Sequence, residues 1–221
     1  MEDENLSLSA DTLAILNEFL KEKVDREREE LEKIRNKNYK DLHFEEDWQL
    51  SQFWYSSETK GVFGKIVQQI LHAADVSSTH GFHIALLSCP SLYKTIKDIH
   101  DTVRIFEYDK RFAAFGDDFV FYDFNEGCNA NNLRQFNQQY DLIVADPPFL
   151  SEECITKMCK IIEVLLKPSA KVIFCSGVLV EPWLCVSLPV KRCKYQPQHE
   201  RNLGNEFACY ANFDLDDYVT R

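Results

Sequence analysis

The residues best equipped for chemistry are Asp146-Pro147-Pro148-Phe149, which directly follow the apolar run Tyr140-Asp141-Leu142-Ile143-Val144-Ala145. Asp146 can accept an N–H hydrogen bond. Neither proline has a backbone donor, and both narrow the backbone angles of their neighbours, so a carbonyl beside Asp146 can be held toward a pocket as a second acceptor. Two acceptors on one NH2 group fix the direction of its lone pair, as nucleophilic attack by an amine requires. Phe149 adds an aromatic face on which a planar base can stack or along which a lysine side chain can lie. An ordinary strand-ending turn would explain Asp-Pro alone. An acid, two prolines and an aromatic straight after a buried-looking strand favour a site for an amine.

Such a tetrapeptide works only if other elements bring partners to it. From His83 onward the sequence alternates strand and helix signals: strands near 83–88, 103–107, 119–122, 141–145 and 171–176, helices over 92–100, 110–115, 131–138 and 152–166. That alternation predicts a parallel sheet with helices on both faces. Val190 to Pro197 and Glu206 to Phe213, joined through Asn202-Leu203-Gly204-Asn205, read as an antiparallel pair. Upstream lie an aromatic segment, Phe44 to Tyr55, and a helical run, Thr59 to Ala74. Leu13, Leu16, Leu20, Val24, Leu31 and Ile34 recur at helical spacing between Ser9, a candidate N-cap, and Asn36. Ligands of parallel sheets bind outside the carboxyl ends of the strands, next to the first strand. The residues after each strand are therefore the further candidates.

The tetrapeptide resembles the D/N-P-P-Y/F/W signature of the amino-methylating branch of class I S-adenosylmethionine-dependent methyltransferases, which act on exocyclic amines of bases, on glutamine amides and on lysines. Asp47-Trp48-Gln49-Leu50-Ser51-Gln52-Phe53-Trp54-Tyr55-Ser56, Leu87-Ser88-Cys89-Pro90-Ser91-Leu92-Tyr93 and Phe106-Glu107-Tyr108-Asp109-Lys110-Arg111-Phe112 resemble one subfamily. Its members methylate lysine in elongation factor 1-alpha and were long filed among N6-adenine DNA methyltransferases. The resemblance runs from about Ser9 to the C-terminus.

The resemblance implies a Rossmann-like α/β fold: seven mostly parallel strands with a C-terminal antiparallel strand, helices on both faces and an N-terminal helical extension. It divides the chain into an acidic helical extension, 1–47, and a methyltransferase domain, 48–221. It implies S-adenosylmethionine as cofactor, with Asp146, Pro147, Pro148 and Phe149 at the reacting amine. Ser88-Cys89-Pro90 stands where most of the class has a glycine-rich turn, where the hydroxyls of Ser88 and Ser91 and the backbone around Cys89 could substitute. Glu107 and Asp109 compete for the two ribose hydroxyls, with Glu107 closer to the strand end. Asp123 matches the place of an acid at the adenine amino group, and Phe124 that of an aromatic over the ring. Phe53, Trp54 and Tyr55 either line the cofactor or amine pocket or form a hydrophobic lid or core edge.

Composition narrows the function further. With 45% apolar residues and no apolar run of membrane-spanning length, the 221 residues fit one globular core with an appendage. Met-Glu-Asp-Glu at the start is acidic where a presequence would be basic, so the expected location is the cytoplasm. Eight dispersed cysteines without a Cys-x-x-Cys pair read as reduced packing residues, and no metal site is expected. The net charge is −11, and residues 1–47 alone hold 15 acidic against 8 basic side chains. A duplex-binding protein needs clustered Lys and Arg for phosphates; no basic stripe is evident, and the small basic group Lys191, Arg192 and Lys194 reads as solvated edge charge. The expected partner is therefore a protein, elongation factor 1-alpha by resemblance, without stable nucleic-acid or membrane binding. N6-methylation of adenine in DNA or RNA, and a non-catalytic methyltransferase-like scaffold, are the alternatives.

Overall fold

A computed structural model describes residues 42–74, 81–129, 131–201 and 203–219, together with 12, 14, 15, 17–19, 21–23, 25, 26 and 29. The chain divides into two units, Met1–His43 and Phe44–Arg221. In the first, the described positions between 12 and 29 are helical, and Ile15 and Phe19 are exposed. The apolar stripe predicted there, Leu13 to Ile34, and its cap Ser9 lie outside the described residues.

The second unit is built on seven strands: β1 Ile84–Leu87, β2 Val103–Glu107, β3 Phe119–Phe121, β4 Tyr140–Ala145, β5 Leu166–Gly177, β6 Lys191–Arg192 and β7 Phe207–Ala211. They form one sheet in the order β3-β2-β1-β4-β5-β7-β6, parallel except for β7, which runs against β5 and β6. The seven-stranded mostly parallel sheet expected from the sequence is thus present. The two central strands are apolar almost throughout because helices cover both faces of the sheet, leaving no solvent side for alternating polar residues.

Register decides where the strands deliver their last residues. Leu87 pairs with Phe106 on one side and with Ala145 on the other, so the residues just beyond, Ser88, Glu107 and Asp146, emerge side by side. Glu107 pairs in turn with Phe121, which brings Tyr122 to Phe124 alongside. Chain order reverses between β1 and β4, and the crevice beyond this switch point is the place such sheets offer a ligand.

Helix α1, Ser57–Ala73, begins where the Ser56 hydroxyl accepts from Thr59 N at 3.1 Å, and it buries Phe63, Ile66, Val67 and Ile70. A 3-10 turn over Pro90–Leu92 runs into the short α2, Tyr93–Lys97, in place of the longer helix expected over 92–100. The helix expected over 110–115 is a 3-10 segment, Lys110–Asp118, broken at Gly116, whose φ of +61° leaves the helical region. Helix α3 covers only Asn131–Arg134. Helix α4, Glu152–Leu165, is capped by Ser151 and carries Glu152 and Glu153 in its first turn, where the helix dipole favours them. Its buried face, Cys154 to Leu165, belongs to the main core with Ile143, Phe174 and Tyr210.

Two elements escape the sequence reading: α5, Glu181–Ser187, and α6, Asp216–Val219. The expected long antiparallel pair of 190–197 with 206–213 shortens to Lys191 and Arg192 against Ala211 and Tyr210. The Asp216 carboxylate takes Lys194 N and Tyr195 N instead, which ends the ladder. The chain then crosses to a different partner: Tyr55 bridges His199, Ser56 N donates to Gln198 O and Glu200 N donates to Trp54 O, both at 2.8 Å. Among the described residues no helix is long and apolar enough to cross a membrane.

The loop that carries Asp146 is backed by Gly177 at the end of β5. A Cβ added there would meet Leu150 Cδ1 at 2.9 Å, closer than packed carbon atoms allow, so hydrogen at this position lets the Pro148–Leu150 segment rest on the strand. Gly177→Val is expected to cost about 1–3 kcal/mol by overpacking, measured by urea unfolding.

Candidate active site

A cavity of about 620 Å³ opens at the carboxyl ends of β1, β2, β3 and β4. Asp146, the first residue after β4, is tied to β1 by its backbone N–H, which donates to Leu87 O at 3.0 Å. All four residues Asp146-Pro147-Pro148-Phe149 line the cavity, Phe149 with 44% of its surface exposed at the mouth. Burial pushes the Asp146 carboxyl up to about 7, against the pull of the Tyr55 hydroxyl and with the help of the Glu107 charge. Among the described residues no cation offsets that rise.

Glu107 is the second carboxyl. It is nearly fully buried, and its Oε1 accepts from Tyr108 N at 2.9 Å and Asp109 N at 3.2 Å, which fixes the carboxyl plane against its own turn. Burial raises its pKa to about 7 even so. Asp109 does not reach the cavity. Its carboxylate is committed to Arg111, Nε to Oδ2 at 2.8 Å, and to Gln52 Nε2 at 3.1 Å, while Arg111 also donates to Gln52 Oε1. Of the two acids proposed for a ribose, the geometry leaves Glu107 facing the cavity.

The turn after β1 takes the glycine conformation without a glycine. Ser88 has φ +52°, a left-handed value that costs a side-chain-bearing residue of the order of 1 kcal/mol. Its hydroxyl lies 2.6 Å from Tyr122 Oη, which in turn donates to Met158 Sδ, and the Cys89 thiol donates to Val144 O at 3.2 Å. The Ser88 and Cys89 side chains are thus engaged within the protein, while Ser88, Cys89, Pro90 and Ser91 together form one wall. Across the cavity Asp123 accepts from Asn125 N at 2.8 Å and aims its loop inward, and the Phe124 ring meets Phe149 edge-on at 5.9 Å.

Phe53 and Trp54 line the cavity, whereas Tyr55 is fully buried behind the wall. Sequence reading missed the opposite wall altogether: His199, Leu203, Gly204, Asn205 and Phe207. His199 packs on Tyr55 at 4.9 Å and on Phe207 at 4.7 Å, and burial lowers its pKa to about 4, so it stands neutral beside the cavity. The long-range pairing of residues 54–56 with 198–200 places this segment, and no local motif announces it. Tyr122, Gln52 and Leu150 were also missed, although each adjoins a residue that was named. No group of three or more His, Cys, Asp or Glu among the described residues is arranged to hold a metal ion.

Residues 46–215 match the family model described as probable N6-adenine methyltransferase. The chain belongs to this family. A Drosophila melanogaster protein-lysine N-methyltransferase is 60% identical over 220 residues, 98% of each chain. The human EEF1A lysine methyltransferase 1 is 38% identical, covering 96% of this chain and 94% of its own, and a Caenorhabditis elegans protein-lysine N-methyltransferase is 33% identical over 96% and 95%. For a methyltransferase of this family the cofactor is S-adenosylmethionine, and the cavity residues fit it. Glu107, a buried carboxyl that faces the cavity and accepts from the N–H groups of its own turn, suits a diol. The aromatic pair Phe124 and Phe149 suits a flat base, and Ser91 with the turn backbone offers polar groups to an amino-acid end.

The two raised carboxyls carry a thermodynamic signature. A native pKa of about 7 for Asp146, against 3.8 when unfolded, means that the unfolded chain ionises first as pH rises. Stability therefore falls between these values and stays lower above them. Asp146→Asn is expected to stabilise the free protein at pH 8 by about 1–2 kcal/mol, with the gain vanishing below about pH 4, measured by denaturant titration across pH.

Proposed function

We propose that this protein is an S-adenosylmethionine-dependent protein-lysine N-methyltransferase acting on translation elongation factor 1-alpha in the cytoplasm. The observation that carries the reading is Asp146, a carboxyl without a cation partner among the described residues, lining an aromatic-rimmed cavity beside the residues that suit the cofactor. The names of the Drosophila and human relatives point to the same substrate class. The acidic balance of the chain, −11 overall, suits a basic protein partner better than a polyphosphate. No stable nucleic-acid complex is expected. The domain boundary consistent with this reading leaves residues 1–47 as an appendage and 48–221 as the catalytic part.

S-adenosylmethionine, when bound, supplies an already activated methyl group, so the chain needs mainly to align the amine and exclude water. A lysine ammonium has an ordinary pKa of about 10.4 and attacks only after losing a proton. Asp146 draws the ammonium in as an anion, accepts one N–H and thereby turns the lone pair toward the reacting methyl. Desolvation by Phe149, Phe53 and Trp54 lowers the amine's pKa toward that of Asp146, which eases the proton's departure. His199, being neutral, adds no charge that would repel the ammonium. Glu107, proposed for the ribose, stands apart from the amine on β2.

The test uses purified elongation factor 1-alpha and an adenine-containing oligonucleotide as parallel acceptors of label from S-adenosylmethionine. Wild-type protein is expected to label the protein alone, with transfer dependent on pH through about 7, and Asp146→Ala is expected to lose about 100-fold or more in kcat/KM. Label in the oligonucleotide would move the assignment to adenine. Cofactor binding without transfer to either acceptor would leave a scaffold.

A further inference from the structure

The cavity wall contributed by Leu50 to Trp54 comes from a segment that belongs to no strand of the sheet. A closed ring of three side chains fastens it. Arg111 donates from Nε to Asp109 Oδ2 at 2.8 Å and from Nη2 to Gln52 Oε1 at 3.0 Å, and Gln52 Nε2 donates to the same Asp109 oxygen at 3.1 Å. Gln52 and Asp109 lie 57 residues apart in sequence. Both are buried, and packing alone would favour an apolar side chain at position 52. The chain takes a strained route to deliver that amide: Ser51 has a left-handed φ of +55°, and Gln52 N donates back to Asp47 O at 3.1 Å. The same two stretches meet again through Arg111 Nη1, which donates to Glu45 O at 3.3 Å, and through the Phe44 ring on Phe112 at 4.7 Å.

The ring touches the cavity on two sides. Gln52 lines it together with its neighbours Phe53 and Trp54, while Asp109 N donates to Glu107 Oε1 at 3.2 Å and so helps to set the carboxyl that suits the ribose. Arg111 is not among the residues that line the cavity. We propose that Arg111 and Gln52 are positioning residues for cofactor binding: the ring they close with Asp109 locks the Leu50–Trp54 wall to the Glu107 turn, so that the cavity is shaped for S-adenosylmethionine before the cofactor arrives. Asp109, which competes in the sequence for the ribose, has a different task in the same site. Its Oδ1 accepts from Arg111 N at 2.9 Å, so both carboxylate oxygens are occupied within the protein. Loss of one member leaves the other two with unsatisfied buried groups and releases the wall. A preformed wall binds more tightly because less ordering is left for the ligand to impose. The inference rests on the family's cofactor and is indifferent to whether lysine or adenine receives the methyl group.

Calorimetric titration with S-adenosylhomocysteine, which carries the ribose and adenine but no transferable methyl group, tests the ring without turnover. Arg111→Met, a change outside the cavity lining, is expected to raise Kd about tenfold or more, and Gln52→Leu to raise it by a similar factor. The double variant is expected to bind no more weakly than the weaker single variant, because either substitution opens the same ring. Hydrogen exchange over residues 50–54 should quicken in ligand-free Arg111→Met and slow again when S-adenosylhomocysteine saturates it. A merely structural ring predicts a lower Tm for Arg111→Met with Kd within about twofold of wild type, and that result overturns the proposal. Additive losses in the double variant overturn it as well, since Gln52 would then act on the cofactor independently of Arg111. If Arg111→Met fails to fold, Arg111→Lys decides. It keeps the charge beside Asp109 but lacks the fork that reaches Gln52, so a Kd raised about threefold or more supports the ring and an unmoved Kd sinks it.

Discussion

The site depends on one constraint, the two-sided pairing of Leu87. Because β1 is hydrogen-bonded to β2 and β4 in matched register, the chain leaves three adjacent strands at the same level, and whatever residues come next must share a small volume. Here those residues are Ser88, Glu107 and Asp146. Two of the three are carboxylic acids, and among the described residues neither has a basic neighbour that offsets its burial. A slip of one residue in either pairing would turn alternate side chains to the opposite face of the sheet, so the core and the site are specified by the same register. The apolar faces of α4 and β4 therefore do double duty. They hold the strands together, and they hold two acids at the cavity.

Gathering like charges in a dry place runs against folding, and the surrounding structure shows how the cost is contained. Glu107 accepts from the N–H groups of its own turn, so its charged form is partly solvated by backbone. Asp109, only two residues on, is taken out of the problem by Arg111 and Gln52, which form a closed network beside the cavity. Asp146 has less support than either. It receives a backbone anchor through its N–H, and burial pushes both acids up to about 7. Groups so poised are common where chemistry is done, because the penalty they impose on the free protein is relieved by the ligand they await. A cationic occupant between Glu107 and Asp146 would lower both pKa values at once.

What could be read from the sequence follows from how local the underlying physics is. The central strands announce themselves as short apolar runs, and Asp146-Pro147-Pro148-Phe149 follows one of them directly, so its place at a strand end was legible. The competition between Glu107 and Asp109 was visible as chemistry but not decidable, since it turns on Arg111 and Gln52, the latter more than fifty residues away. Helix α5 was hidden because Pro182 lies within an apolar stretch, where it reads as an interruption and is in fact at a helix start. The wall formed by His199 and its neighbours was not legible at all. It is set by backbone bonds between 54–56 and 198–200, and three consecutive aromatics give no clue as to which one turns inward until that pairing is known.

The same geometry bears on why an enzyme with this tetrapeptide would prefer one amine over another. An adenine amino group is not basic; it needs its lone pair drawn out of the ring by acceptors, and a proton leaves only as the new bond forms. A lysine ammonium must shed a proton before it can react at all. An acceptor titrating near 7 is of limited use as a base in the first case, whereas in the second it is both the counter-ion that admits the ammonium and a resting place for its proton. Acceptors for adenine need only direction, which neutral carbonyl or amide oxygens supply without the desolvation penalty that a carboxylate incurs. A buried acid to which the described residues bring no cation is therefore a feature whose cost is offset when the incoming amine carries a charge, and this favours lysine as the group that enters the cavity.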